Sequence, residues 1–494
     1  MTRKQFLSLG PGAALAAGQR PASQARPKNV LLLMSDQHKP NALGIDGDPV
    51  ARTPNLDALA RTAVRFDHAY CTNPVCVPSR ASLLSGLYTH HHHTNNNATP
   101  WPFDMKTMAH YFHDAGYRTG LIGKMHFVDA QTHGFDYKLD FNDWYQYLGP
   151  KTKLYADELG RRNSGSGLPQ IDDLWRDAGD PWIGTRTLDN RQGSVAVGGV
   201  SPMEEKDHFE SFVARESSRF LKNYGDKPFF LIGSFLKPHD PFMPAARFAS
   251  MFRAEDMKLP RTYGKADFSR LPQELRRAIA RDNPTPELHD PEMAKRRIAL
   301  YYANLAQMDD ALGEVMASLR ALHLENDTIV LYTADHGEML GEHGLWNKTV
   351  FYESSAGVPL MFRVPGLTPA GARCANLASL VDVAPTLAEL CGLQAPKLDG
   401  SSLAGSLRAP SQATDATVFA EYNLTTPRAK YMIRNGAFKY NFYANDVDEL
   451  YDLANDPDEL VNLAGHASHR AKVEEMRQRL FAWYRPPETR VTPG

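Results

Sequence analysis

The chain has 494 residues, 42% hydrophobic and 23% charged, so it can bury a large core and is too apolar to stay disordered over most of its length. Lys and Arg total 55 against 57 Asp and Glu, a formal net charge of −2, which excludes a global basic field for nucleic acid. Four cysteines cannot build a disulfide scaffold, and no run of roughly 18 apolar residues is present to span a bilayer.

Residues 1–27 begin with the basic pair Arg3-Lys4, continue as a weakly apolar run rich in Ala and Gly, and end in a polar stretch closing at Pro27. This is the layout of an export signal, with a disordered tail as the alternative reading. Thr2 to Leu7 resembles a twin-arginine signal with Lys in place of the second Arg, so a periplasmic or secreted location is expected.

From residue 28 onward, apolar strands alternate with amphipathic helices, which argues for a mostly parallel sheet covered on both faces. Four segments read as buried strands: Asn29 to Met34, Tyr117 to Ile122, Pro228 to Leu236 and Thr328 to Thr333. They run into Asp36-Gln37, Lys124 and His126, His239-Asp240, and Asp335-His336 respectively. Ionisable groups just past strand C-termini are where open α/β sheets build ligand sites. Thr53-Pro54 predicts a helix start with Thr53 as N-cap and Leu56, Leu59, Ala60 and Ala63 on its buried face. A long helix is expected from Glu292 to Leu322, with Asp309 and Asp310 on a solvated face beside its apolar stripe. Val383 opens another packing helix, with Cys391 a buried thiol.

Domain boundaries are expected at 28–400 for the main α/β domain and 401–494 for a C-terminal subdomain. In the latter, Tyr431–Arg434 and Phe438–Phe442 flank Asn435-Gly436, a hairpin signal, and a final helix covers Ala471 to Trp483. The segment from Tyr155 to Val200 reads as an insertion near the mouth of the site.

The most specific segment runs from Cys71 to Gly86. Pro78 suits the first turn of a helix, which puts Cys76 at its N-terminus, where free backbone N–H groups favour an anion. Arg80, one turn on, can point a fixed cation back toward residue 76. A plain buried thiol or a Cys71–Cys76 disulfide are the alternatives, and neither accounts for Pro78 and Arg80.

Cys76-Val-Pro78-Ser79-Arg80 followed by Leu84-Ser-Gly86 resembles the signature of the formylglycine-dependent sulfatases of the alkaline phosphatase superfamily. The blocks around Asp36-Gln37, Gly123-Lys124-Met-His126, Lys237-Pro-His239-Asp-Pro, Asp335-His336-Gly-Glu and Leu340 to Lys348 resemble the same family in the same order, as do Glu449 to Leu453 and Asp456-Pro. The resemblance spans roughly residues 28 to 465. It implies an alkaline-phosphatase-like fold and a sulfuric ester hydrolase. A maturation enzyme would oxidise Cys76 to formylglycine, whose hydrate attacks sulfur with one hydroxyl and, through the other, expels sulfate by internal elimination.

The resemblance further implies one divalent cation on Asp36, Gln37, residue 76, Asp335 and His336. Many relatives carry Asp at the position of Gln37 and Asn at that of His336. Carboxylate and amide oxygens suit Ca²⁺, and His336 leaves Mn²⁺ or Mg²⁺ open. Arg80 would hold the hydrated aldehyde, Lys124 and Lys348 would clamp sulfate oxygens, His126 would take the proton of the second hydroxyl, and His239 would assist the leaving alcohol.

The favoured substrate is an O-sulfated carbohydrate, stacked on Trp144, Trp175 or Trp182. The blocks around Lys124 and Trp346 also look like the choline-sulfatase branch, in which Glu353 could face a cationic group. Phosphonate monoester or phosphodiester hydrolysis on the same core is a further alternative, and a non-catalytic glycan-binding protein the last. His90–His93 reads as a loop at the pocket rim, and the sequon at Asn347 is discounted because it overlaps a catalytic block.

Overall fold

The computed structural model describes residues 29–127, 131–153, 198–265, 271–282, 290–424 and 426–486. The expected export segment, Trp175, Trp182 and nearly all of the expected insertion lie outside these residues.

The strands, in chain order, are β1 (Asn29–Asp36), β2 (Val64–Tyr70), β3 (Arg118–Gly123), β4 (Tyr137–Leu139), β5 (Phe229–Pro238), β6 (Thr328–Ala334), β7 (Leu360–Arg363) and β8 (Arg373–Ser379), followed by β9 (Thr417–Tyr422), β10 (Lys430–Asn435), β11 (Phe438–Tyr443) and β12 (Glu449–Asp452). The first eight form one sheet in the order β4-β3-β5-β1-β6-β7-β2-β8. The four strands expected from sequence are the consecutive neighbours β3, β5, β1 and β6, all parallel. Only β7 runs against its neighbours. The sheet is thus mostly parallel, and the C-terminal ends of its four central strands share one edge.

Every residue of β1 is buried, as expected for a strand covered on both faces. Leu31 and Leu33 join a core shared with helices α4 (Phe209–Tyr224) and α5 (Pro291–Ala321), while Val30, Leu32 and Met34 join a second core on the opposite face. That second core includes α2 (Cys76–Ser85) and α6 (Val383–Cys391). The period of two in β1 therefore assigns alternate side chains to two helical layers.

Helix α1 (Pro54–Ala60) starts where expected, but Thr53 makes no capping bond from its side chain. The cap comes from α5: Asp309 accepts from the backbone N–H groups of Asn55 (3.0 Å) and Leu56 (2.8 Å). Asp309 is therefore buried, contrary to the solvated face expected for it, while Asp310 stays partly exposed and pairs with Arg247 at 2.8 Å. Burial pushes the Asp309 carboxyl up to about 6. Cys391 is only partly buried.

The remaining strands form an antiparallel sheet, β12-β11-β10-β9, packed on α7 (Arg470–Trp483). The hairpin is present, with one change of register. Asn435 pairs with Phe438, so the two-residue turn is Gly436-Ala437, with Gly436 at φ 55°. Asn435 stays in the strand because its amide donates to Thr417 Oγ1 (3.0 Å) on β9. Tyr431 and Ile433 face α7, whereas Met432 turns the other way and packs with Tyr70 and Phe351 of the main domain.

Candidate active site

Asp36 and Gln37 close β1, Asp335 and His336 follow β6, Lys124 follows β3, and α2 carries Cys76 and Arg80 into the same edge. Gly123 is obligatory at the β3 exit: its φ is 111°, and a Cβ would lie 1.9 Å from the Ser234 carbonyl oxygen. Cys76 begins α2 as expected, is a free thiol like Cys71, and is 1% exposed. Its Sγ lies 3.2 Å from His336 Nε2 and 3.7 Å from Asp36 Oδ1. One ligand atom from each of Asp36, Cys76, Asp335 and His336 lies within 4.8 Å of the others.

His336 Nδ1 sits 2.9 Å from the Gly337 carbonyl. A carbonyl only accepts, so Nδ1 carries the proton and the Nε2 lone pair faces the thiol and the carboxylates. Burial draws the His336 pKa down, which keeps that lone pair free. Two oxygen donors, one imidazole nitrogen and the residue-76 group make a donor set that fits a divalent cation.

Arg80, expected to point back toward residue 76, spends its hydrogen bonds on the groups around Cys76 instead. It donates from Nε to Asp335 Oδ2 (2.7 Å), from Nη2 to Asp36 Oδ2 (2.9 Å) and from Nη1 to Ser234 Oγ (2.9 Å) and the Lys124 carbonyl. Lys124 Nζ lies 2.7 Å from Asp36 Oδ2. Burial alone would raise the Asp36 carboxyl, and Lys124, His239 and Arg80 together hold it well below the usual carboxylate range. Two carboxylates thus meet two buried cations, and Lys348 and Asp240 add one charge of each sign beside them.

Lys348 Nζ donates to Gln37 Oε1 and lies 2.9 Å from His239 Nε2. Gln37 Nε2 donates to Glu338 Oε2 and to Asp240 Oδ1 (3.1 Å). Those two acceptors fix the amide so that its oxygen faces the lysine. His126, at φ 63°, keeps a buried Nδ1 with no hydrogen-bond partner among the described residues. Burial, reinforced by Lys124 and Arg80, holds its pKa well below the ordinary imidazole value, so the ring is neutral. Beside Lys124, His126 and His239 opens a cavity of about 320 Å³, also lined by Phe127, Lys138 and Asn142.

Three expected substrate contacts are placed elsewhere. Trp144 is fully buried and donates from Nε1 to the Asp207 carbonyl (2.8 Å), so it packs and cannot stack on a sugar. Glu353 is held by Tyr70 Oη (2.6 Å), Arg434 (2.9 Å) and Lys439 (2.8 Å), and is committed to those partners rather than to a cationic ligand. The His90–His93 run is not a rim loop: Thr89–His92 form a short helix, α3, with His90 bonded to Glu421 (2.9 Å), His91 to Asp399 (2.7 Å) and His92 to Ser82 (3.0 Å). Glu338 and Asp240 received no role from the sequence. Their position beside assigned blocks was the available signal.

The chain matches the sulfatase family model over residues 28–393, and the model described as N-sulphoglucosamine sulphohydrolase, C-terminal, over residues 341–485. It is 31% identical over 438 residues to a choline-sulfatase of Rhizobium meliloti, covering 86% of this chain and 80% of that protein. It is 25% identical over 517 residues to an N-acetylglucosamine-6-O-sulfatase of Bacteroides thetaiotaomicron, covering 92% and 85%. Its fold is similar to that of the phosphonate monoester hydrolase of Agrobacterium radiobacter, with a TM-score of 0.77, 25% identity, and 92% and 95% of the two chains covered. Among the described residues no helix is long and apolar enough to cross a membrane. With this fold, this buried cluster and these relatives, the chain belongs to the sulfatase family of the alkaline phosphatase superfamily and is a sulfuric ester hydrolase.

Proposed function

We propose that the protein hydrolyses the sulfate ester of an O-sulfated carbohydrate, with Cys76 matured to formylglycine by a partner enzyme and one divalent cation, Ca²⁺ in the first instance, held by Asp36, Gln37, residue 76, Asp335 and His336. The observation that carries this reading is the position of Cys76 at the start of α2, 3.2 Å from His336 Nε2, inside a cluster where Arg80, Lys124 and Lys348 supply buried positive charge. The matured residue supplies a geminal diol as nucleophile, and the cation supplies Lewis-acid polarisation of the sulfate.

The chain's own groups do the rest. Arg80 orients residue 76 through the carboxylates it bridges. Lys124 and Lys348 hold the sulfate oxygens as charge moves onto them. His126, a neutral imidazole with an open Nδ1, takes the proton released when sulfate departs. His239 assists the departing alcohol, and the Lys348 ammonium, 2.9 Å from its Nε2, supplies that nitrogen with the proton the alkoxide takes. Ester and water become alcohol, sulfate and a proton. The cavity beside these groups mixes Lys138 and Asn142 with Phe127 and Phe141, which suits a polyhydroxylated leaving group with an apolar face. The leader at residues 1–27 would export the protein to the periplasm or beyond.

The test is inorganic sulfate release by maturase-coexpressed protein across sulfated mono- and oligosaccharides and choline sulfate, with Cys76→Ala as blank. Release from one saccharide position supports the reading, and a preference for choline sulfate overturns the substrate class while keeping the chemistry. The likeness to a phosphonate monoester hydrolase favours a second reading on the same core. Turnover of a phenyl phosphonate monoester above that of the matched aryl sulfate would establish it.

A further inference from the structure

Lys348 stands in an unusual piece of backbone. Asn347 and Thr349 on either side of it have φ values of 65° and 81°. The left-handed region disfavours any side chain, and a β-branched residue such as Thr most of all, so outside contacts must hold this segment in place. Three come from the main domain. Asn347 N donates to Glu338 Oε1 (2.8 Å), the Asn347 carbonyl accepts from Met339 N (2.8 Å), and Thr349 N donates to the Pro74 carbonyl (3.2 Å), two residues before Cys76.

The fourth contact comes from the small sheet. Lys430, at the start of β10 and 3% exposed, donates from Nζ to the Thr349 carbonyl, with its ammonium also lying over the rings of Tyr422 (4.9 Å) and Phe351 (5.5 Å). The same subdomain grips the next residues at intervals of two. Lys439 on β11 donates to the Phe351 carbonyl (2.7 Å), and Glu353 N donates to Glu459 Oε2 (2.7 Å). Residues 349, 351 and 353 are thus each tied to the C-terminal subdomain.

We infer that Lys430 is a positioning residue for Lys348, and that the C-terminal sheet thereby sets the geometry of the catalytic edge. This rests on the reading of Lys348 as a sulfate clamp. The buried ammonium fixes the peptide that follows Lys348. Without it Thr349 relaxes toward the extended region, and Lys348 Nζ swings away from Gln37 Oε1 and His239 Nε2.

The experiment is a double-mutant cycle on the full-length, matured protein with 4-nitrophenyl sulfate. Lys430→Met keeps the stem against the two rings and removes the charge. It is expected to lower kcat/KM by about 10- to 100-fold, the scale of a misplaced catalytic group. In a Lys348→Met background the same change is expected to cost less than about threefold, because there is no clamp left to misplace. Equal losses in both backgrounds, or no loss in the native background, overturn the inference. Should Lys430→Met not accumulate as folded protein, Lys430→Leu, which also lacks a donor, takes its place in the same cycle and is read by the same criteria. If Lys348→Met alone leaves turnover intact, the clamp reading itself falls, an outcome distinct from the other two.

Discussion

Two charged clusters among the described residues are built differently. At the edge of the large sheet, Asp36 and Asp335 meet Arg80 and Lys124, yet the Cys76 thiol lies among them and the buried His126 Nδ1 has no hydrogen-bond partner among the described residues. Between the two sheets, Glu353 and Glu459 meet Arg434 and Lys439, and the charges are spent on one another and on backbone groups. Burial pushes the Glu459 carboxyl up to about 8 against the pull of Lys439. The first cluster is arranged to receive something, while the second is closed and holds two elements together. Charge and burial alone do not separate a site from a joint. Unfilled valence beside a cavity does.

That contrast can be broken from either side. The largest effect is expected from Asp335→Asn, which removes a carboxylate from the open cluster. Sulfate release should fall by about 10³-fold or more, while the melting temperature moves by only a few degrees. A comparable loss of stability would mean that the open cluster is itself a joint. Lys439→Met should show the opposite pattern. It leaves the buried Glu459 carboxyl without its ammonium partner and should destabilise the fold by about 3–5 kcal/mol in denaturant titration. Its effect on kcat should be smaller than that of Lys430→Met, because it releases the segment three residues beyond Lys348.

A third test uses acid. His343 stacks on Tyr352 at 4.0 Å beside the closed joint, and burial holds its pKa down to about 4. The unfolded chain takes up a proton below about pH 6.5 and the folded one only near 4. The contribution of His343 is therefore complete above pH 6.5 and is lost as pH falls toward 4, by about 3 kcal/mol. In His343→Gln the loss of stability over that window should shrink by this amount, and an unchanged pH profile would show that the ring is not kept neutral. The smallest effect is expected from Asp309→Ala, outside both clusters. It removes the cap on α1 and should cost about 1–2 kcal/mol with turnover unchanged.

The parts legible in the sequence were those in which the chemistry is local. Four strands each end within two or three residues of their ionisable groups, and Cys76, Pro78 and Arg80 lie within one helical turn and a half. A buried parallel strand and a helix start announce themselves over such short distances. What escaped was set by partners far along the chain. Trp144 found the Asp207 carbonyl 63 residues on, Glu353 found Arg434 81 residues on, and Asp309 capped a helix that begins more than 250 residues before it. Each was read by its own chemistry as an exposed ring, a free carboxylate or a solvated acid, and each was claimed by a neighbour that no local pattern reveals. The one-residue shift of the hairpin turn has the same origin, since β9 holds Asn435 from outside the hairpin.

The arrangement of the central strands carries a consequence for how the chain acquires its structure. Strand β1 is synthesised before either of its neighbours, since Val30 pairs with Phe230 on one side and Ile329 on the other. Its neighbours arrive about 200 and 300 residues later, and both must close very large loops before any pairing rewards them. Until then a strand with five apolar residues in a row has both edges unsatisfied. Refolding from denaturant should accordingly be slow and concentration-sensitive, with aggregation competing at the β1 edges until β6 is in place.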